Sequence, residues 1–448
     1  MIALLDFVKF NELSNWSVAH LLQNHFNYNK DFELVKIGTF LKRNKTQIIV
    51  DDNTTYKRVT IKLYNNGVFL RDTEIGKNIG TKKQFSIKEG QFLLSKIDAR
   101  NGAFGIATNE VDGAIITADF LAFDIDTSKI NPDFLVLITT TKKFMQFAQS
   151  ASSGTTGRQR IDESKFLNTK IPLPKLDIQK QIVENYQNKI NLASEQGQKA
   201  ENLEKNIEEY LYTELGIIKL EILTKDESSV LKFVTFKDMI NCWGYENNNQ
   251  IKIESTKYKV LKLINICNIG SGGTPSRNYP NYYINGTIPW IKTGEVRDAL
   301  ILNTEESITE EALQNSNAKI YPKDSLIVAM YGATAGRTAK LGIEASTNQA
   351  CAILHNFDLN KININFIWFY LMTQLENFKL LTSGSAQPNL NADKIKNYQI
   401  PIPPIEMQNK IANNIEILKN EIKILNEQSE KNKKLALEEF EREVFNEA

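Results

Sequence analysis

Few residues in this chain of 448 have the type and spacing that chemistry demands. Its three histidines, His20, His25 and His355, stand at no metal-ligand spacing. Cys242, Cys267 and Cys351 are odd in number and widely spaced, which suits neither a disulfide framework nor a zinc knuckle. Buried free thiols in a reducing cytoplasm are the expectation. Pro132-Asp133 followed by Glu163-Ser164-Lys165 fits the loose P-D…E-x-K string of metal-dependent nucleases. The pattern is permissive, the second half of the chain has Ala392 in the place of Glu163, and a solvated turn is the expected reading. "IGSGGTPS" (269–276) lacks the Gly-Lys-Ser/Thr ending of a phosphate loop, and "YGATAGRTA" (331–339) belongs to no strand-G-x-G-x-x-G-helix unit. "PIPPIEM" carries the double proline of an amino-methyltransferase motif, but isoleucines replace the polar residue before it and the aromatic after it. No catalytic residue, metal site or cofactor is expected in this chain.

Binding chemistry is better represented. The chain carries a net charge of +1, yet residues 36–100 hold 14 Lys/Arg against 6 Asp/Glu, and residues 195–215 hold 6 acidic against 2 basic residues. A basic globular part beside an acidic helical part suits a nucleic-acid partner. Phosphates and base edges are reached by Arg, Lys, Asn, Gln, Ser and Thr on loops. In the first half the candidates are Lys57, Arg58, Lys62, Arg71, Lys96, Arg100, Asn101, Arg158, Gln159 and Arg160. In the second they are Thr274, Ser276, Arg277, Lys292, Thr293, Arg297, Thr334, Arg337, Ser385, Gln387 and Asn389.

The elements that must position these residues are written twice. "KIPLPKLDIQKQI" ends at Ile182 and "QIPIPPIEMQNKI" ends at Ile411, 229 residues later. "FVKFNELSNW" (7–16) returns as "FVTFKDMINCW" (233–243), and "ELVKIGTF" (33–40) as "KVLKLINI" (259–266). The chain is thus two homologous halves. Within each, short apolar runs broken by Gly, Asn and Pro, such as "VTIKLYNNGVFL", "QFLLSKI", "GAIITADFLAF" and "SLIVAMYGATAG", predict strands and hairpins. "NPDFLVLITTTKKFMQFAQS" and "NINFIWFYLMTQLENFKLL" predict helices late in each half. Each half is an α+β domain.

After each repeated phrase the pattern turns helical. Residues 178–214 and 407–445 contain no proline, and Gly197 is their only glycine. Apolar residues recur at heptad spacing: Ile182, Tyr186, Ala193, Ala200, Leu203, Ile207 and Leu211 in one copy, Ile411, Ile415, Leu418, Ile422 and Leu425 in the other. Each helix is expected to run about 37 residues, or about 55 Å. The prolines of the phrase end a strand, and Asp177 or Glu406 favours the first helical turn. The two helices are expected to pack antiparallel within the chain. Lys189, Gln196, Gly197, Ser429 and Asn432 weaken the seam midway. No stretch approaches membrane-spanning length and no signal peptide is evident, so a cytoplasmic protein is expected.

"SGGTPSRNYPNYYINGTIPWIKTGEVRD" (271–298), "GSAQPNLNADKIKNYQIPIPPIEMQNKI" (384–411), "YKRVTIKLYNNGVFLRD" (56–72) and "SKIDARNGAFG" (95–105) closely resemble the specificity subunits of type I restriction-modification systems. The resemblance covers essentially the whole chain. It implies two target-recognition domains, 1–172 and 217–402, separated by two long antiparallel spacer helices, 173–216 and 403–448, that form an intrachain coiled coil. It implies double-stranded DNA as ligand and a split target, with no catalysis in this chain. Two methyltransferase subunits using S-adenosylmethionine and a restriction and translocase subunit using ATP and Mg are the expected partners, with the helices as the methyltransferase docking surface. The first half lacks the GGTPS and IPW strings and shows another style of recognition domain, so an asymmetric target is expected. Helix length bounds the gap between half-sites to roughly 16 base pairs, shortening towards about one helical turn if the heads reach inward. A methyltransferase-linked type II specificity chain, a nuclease in its own right and a tethering coiled-coil protein are the competing readings.

Overall fold

The structure is a computed structural model and describes residues 28–63, 66–145, 152–153, 160–218, 251–382 and 390–445. His20, His25, Cys242, Arg158, Gln159, Ser385, Gln387, Asn389 and the 7–16/233–243 repeat lie outside the described residues. Four helices organise the rest: α1, Pro132–Thr140; α2, Leu176–Leu215; α3, Ile364–Thr373; and α4, Ile405–Phe445. The chain divides into two compact units, Met1–Gly197 with Glu427–Ala448, and Gln198–Asn426. Each unit therefore takes one half of α2 and one half of α4.

In the first unit the apolar runs become a four-stranded sheet in the spatial order Leu41–Asn44, Phe120–Ile125, Phe92–Ser95, Phe104–Ile106. Successive residues of a strand face opposite sides, and here both sides are covered. Phe92, Leu94, Leu121 and Phe123 point to a core that includes Phe134, Leu135 and Ile138 of α1, Ile182 of α2, and Phe440, Val444 and Phe445 of α4. Leu93 and Ala122 point the other way, to a core with Val59, Ile61 and Val68. These last belong to a five-stranded sheet that includes the hairpin Thr55–Ile61/Val68–Ile75.

The second unit repeats this plan. Asn268–Ser271, Cys351–His355, Leu326–Ala329 and Thr338–Leu341 occur in the same spatial order, with Ala299–Ile301 added at the edge. Leu326, Val328, Ala352 and Leu354 pack with Phe366, Ile367, Tyr370 and Leu371 of α3 and with Leu211, Ile411 and Ile415 of the long helices. Ile327, Ala329, Cys351 and Ile353 face the opposite core. In both units a two-stranded ribbon, Glu33–Lys36 with Lys170–Leu173 or Val260–Lys262 with Gln399–Pro401, brings the repeated phrase to the start of a long helix.

Asp177 and Glu406 sit in the first turns of α2 and α4, where a carboxylate meets the positive end of the helix dipole. Within the first unit the helix halves run antiparallel. Lys189 pairs with Glu439 at 3.0 Å, Ala193 O accepts from Ser429 Oγ at 2.7 Å, and Gln196 Oε1 accepts from Asn432 Nδ2 at 2.9 Å. The midway polar residues thus find partners across the helices, Gln196 and Asn432 in each other. Within the second unit, Lys199–Glu421 at 2.8 Å and Asn414 Nδ2 to Tyr210 Oη at 2.9 Å follow the same direction. Ile182, Ile207, Leu211, Ile411, Ile415 and Leu425 are buried, while Tyr186, Leu203, Leu418 and Ile422 are half-buried. The stripe is more than a helix-to-helix seam, since Ile182, Ile411 and Ile415 also enter the head cores. Among the described residues no helix is long and apolar enough to cross a membrane.

Candidate nucleic-acid interface

In the second unit, the GGTPS loop leaves the strand Asn268–Ser271 through a narrow passage. A Cβ on Gly272 would fall on the Thr347 and Asn348 carbonyls, and one on Gly273 would fall on the Asn317–Ala318 peptide. Only glycine fits a backbone approach this close. The loop is pinned by Gly273 N–H to Thr347 O at 2.8 Å, Trp290 Nε1 to Gly273 O at 3.0 Å and Tyr283 Oη to Pro275 O at 2.6 Å. Rigidly held in this way, it leaves Thr274, Ser276 and Arg277 exposed.

Arg277 lies over the Tyr283 ring at 4.0 Å and donates to Glu306 at 2.7 Å. Lys292 reaches the same carboxylate at 3.0 Å and Glu305 at 2.9 Å. Against the partial burial that would raise it, Lys292 and Arg277 hold the Glu306 carboxyl below the usual range. From Lys292 the chain enters the turn Thr293–Glu295, where the Thr293 carbonyl accepts from Thr334 Oγ1 at 2.8 Å. Arg297 Nε donates back to Gly294 O at 2.7 Å. Arg337 pairs with Asp298 at 2.6 Å, and Asp298 also accepts from the Thr338 amide and hydroxyl. Four separate segments, 274–277, 292–298, 305–306 and 334–338, are therefore laced into one set. Lys292 and Thr293 are half-buried, Arg297 and Arg337 exposed, and the Thr334 hydroxyl is committed to the fold.

The first unit gathers its candidates in two groups. On the hairpin, Arg58 makes a two-pronged pair with Asp72, at 2.6 and 2.8 Å, and reaches Glu74 at 3.3 Å. Its hydrogen bonds, with help from Arg71 at 3.3 Å, hold Asp72 below the usual carboxylate range. Lys57 donates to Glu110 O at 3.0 Å, and the Lys62 ammonium sits 4.2 Å over the Phe69 ring. In the second group, Lys96 N–H donates to Asp119 O at 2.8 Å and Lys96 O accepts from Ile161 N–H at 2.9 Å. Arg160 pairs with Asp119 at 3.0 Å, which sets it beside Lys96. Arg100 and Asn101 lie in the one-turn helix that follows.

Sequence reasoning missed the carboxylates Asp72, Asp119, Asp298 and Glu306, which hold these cations in place. The signal available for them was an acidic residue on a strand or turn beside each basic one. The nuclease-like string has a different use. Asn131 caps α1 with Pro132 at its first position, Asp162 caps the short helix Glu163–Asn168, and Glu163 lies 3.6 Å from the mostly buried Arg43. Among the described residues no group of three or more His, Cys, Asp or Glu could hold a metal ion.

Each unit carries a set of carboxylate-held cations, with different residues on the two. Known proteins align with this plan. A solved structure described in terms of complex assembly and conformational transition of the type I R-M system shares the fold, with a TM-score of 0.61 at 15% identity over 93% of this chain and 98% of that one. The HsdS subunit from Thermoanaerobacter tengcongensis follows at a TM-score of 0.51 and 13% identity over 95% of this chain and all of that one. The type I restriction enzyme MjaVIII specificity subunit of Methanocaldococcus jannaschii is 24% identical over 433 residues, 93% of this chain and 92% of its own. The family model for the type I restriction modification DNA specificity domain matches twice, at residues 29–205 and 255–434. The chain belongs to the type I restriction-modification DNA specificity family and carries two copies of its domain.

Proposed function

We propose that this chain is the DNA-reading subunit of a type I restriction-modification complex, binding a split, asymmetric target with one half-site per unit. The observation that carries this reading is the duplicated unit with non-duplicated loops. The two heads share strand order, ribbon and helix start. Their exposed cations differ: Lys62, Arg71 and Arg160 on one, Arg277, Arg297 and Arg337 on the other. Matching central strand orders with different reading residues suit two unlike half-sites, because base edges are distinguished by side-chain type and geometry. Chemistry belongs to partners. An adenine-N6 methyltransferase, in two copies, supplies S-adenosylmethionine-dependent modification, and a translocase and nuclease supplies ATP- and Mg-dependent cleavage. This chain contributes position.

The test is a map of N6-methyladenine across the host genome, with and without the gene. A split motif with unlike halves that vanishes on deletion supports the reading. An unchanged map in a strain that expresses the methyltransferase refutes the guiding role, and a mapped motif with identical halves refutes the asymmetry.

A further inference from the structure

The repeated phrase places a glutamine at the same register in both copies, Gln179 and Gln408, and both are fully buried. Each side-chain amide makes the same three hydrogen bonds. The oxygen accepts from the backbone N–H of the residue that caps a head helix: Asn131 at 2.7 Å for α1, Asn363 at 2.9 Å for α3. The nitrogen donates to the carbonyl two residues before that cap, Lys129 at 3.0 Å or Lys361 at 2.8 Å. It also donates to a proline of the phrase itself, Pro174 or Pro403, at 2.8 Å in both. Head helix, strand exit and long helix meet at one amide, twice.

The apolar contacts around this point, through Ile182 or Ile411, are non-directional and tolerate small rotations. The amide is not so tolerant. One residue of slip along an α-helix turns a side chain by about 100° and moves it about 1.5 Å, which would break both bonds to the head and bury their partners unsatisfied. We propose that Gln179 and Gln408 are positioning residues that fix the angle and axial register of each recognition head on its long helix. They thereby set how strictly the complex demands one gap length between half-sites. This rests on the split-target reading above. Each added base pair turns a half-site by about 34° and moves it about 3.4 Å, so a head locked at one angle loses its base contacts when the gap changes.

The experiment compares complexes of the full chain with its methyltransferase subunits on duplexes carrying the mapped half-sites at the native gap and at one base pair more or less. Wild type should prefer the native gap by at least about tenfold, the cost of one good base contact. Gln179→Met and Gln408→Met keep the volume and remove the bonds, and two sites are made so that one stays measurable if the other fails to assemble. The expected result is a preference reduced to about threefold or less, with the half-site sequences unchanged. A variant that loses methylation equally at every gap, or keeps the wild-type preference, overturns the inference and leaves the glutamines as plain struts. A wild-type complex that methylates no split site overturns the functional reading, and the inference falls with it.

Discussion

Glu306 is the point at which the second unit's loop set can be loosened by one atom exchange. Its carboxylate accepts from Arg277 at 2.7 Å and from Lys292 at 3.0 Å, two cations from segments that otherwise meet nowhere in sequence. Glu306→Gln keeps the shape and removes the charge that both cations face. The stability cost is small, because half-exposed ion pairs contribute about 0–1 kcal/mol, and a unit of this size then melts at most about 4 °C lower. DNA binding should respond in the opposite sense. Arg277, still stacked on Tyr283, becomes free to neutralise a phosphate, while Lys292 keeps its pair with Glu305 at 2.9 Å. One such contact steepens the dependence of log K on log salt by about 0.9. Between about 200 and 50 mM salt the variant should gain about three- to fourfold more affinity than wild type gains. Fluorescence anisotropy on a non-target duplex across a salt series measures this directly. Glu376→Gln, which breaks an exposed pair with Lys379 on a helix outside the loop set, is the control and should leave the slope alone. A Glu306→Gln slope equal to or shallower than wild type refutes the argument, because it would mean that the carboxylate holds the cations in their binding pose.

Other perturbations test the frame. Gly197→Ala should stabilise the first unit by about 0.5–1 kcal/mol, since the added Cβ meets only Ser429 Oγ at an ordinary 3.7 Å; a lowered melting temperature contradicts it. Phe440→Ala removes a ring packed edge-on against Phe134 at 5.8 Å and Tyr186 at 6.4 Å. It should cost about 3–5 kcal/mol, seen as early unfolding of the first unit in denaturant. Asp72 is held low by Arg58, so its stabilising effect is present above about pH 4 and is lost as pH falls through its lowered value. Asp72→Asn should flatten that acid limb in hydrogen exchange of the hairpin, and unchanged limbs would exclude the pair as its source. Cys267, pushed up to about 12 by burial, and Cys351, pushed up still further, should resist alkylation at pH 8 until the chain is denatured. Peptide mapping of a labelled native sample would expose either thiol.

The sequence by itself determined the doubling, the strand and helix order of each half and the two long helices. Those features are periodic and local: alternation of two within strands, heptads after the phrase, prolines at the strand exit. It also supplied the loop segments that carry cations and hydroxyls. Their company was decided only by the tertiary structure. Arg277 and Lys292 share Glu306, and Arg337 meets Asp298, because strands distant in sequence become neighbours in the sheets, a pairing that no spacing encodes. The heptad stripe read as a helix pair proved to serve the head cores as well, since Ile411 and Ile415 each face more than one neighbour. The repeated glutamine was plain as a letter in the phrase and silent as to purpose. Its three hydrogen bonds run to backbone atoms up to 50 residues away, and a backbone atom carries no side-chain signature for a sequence to show.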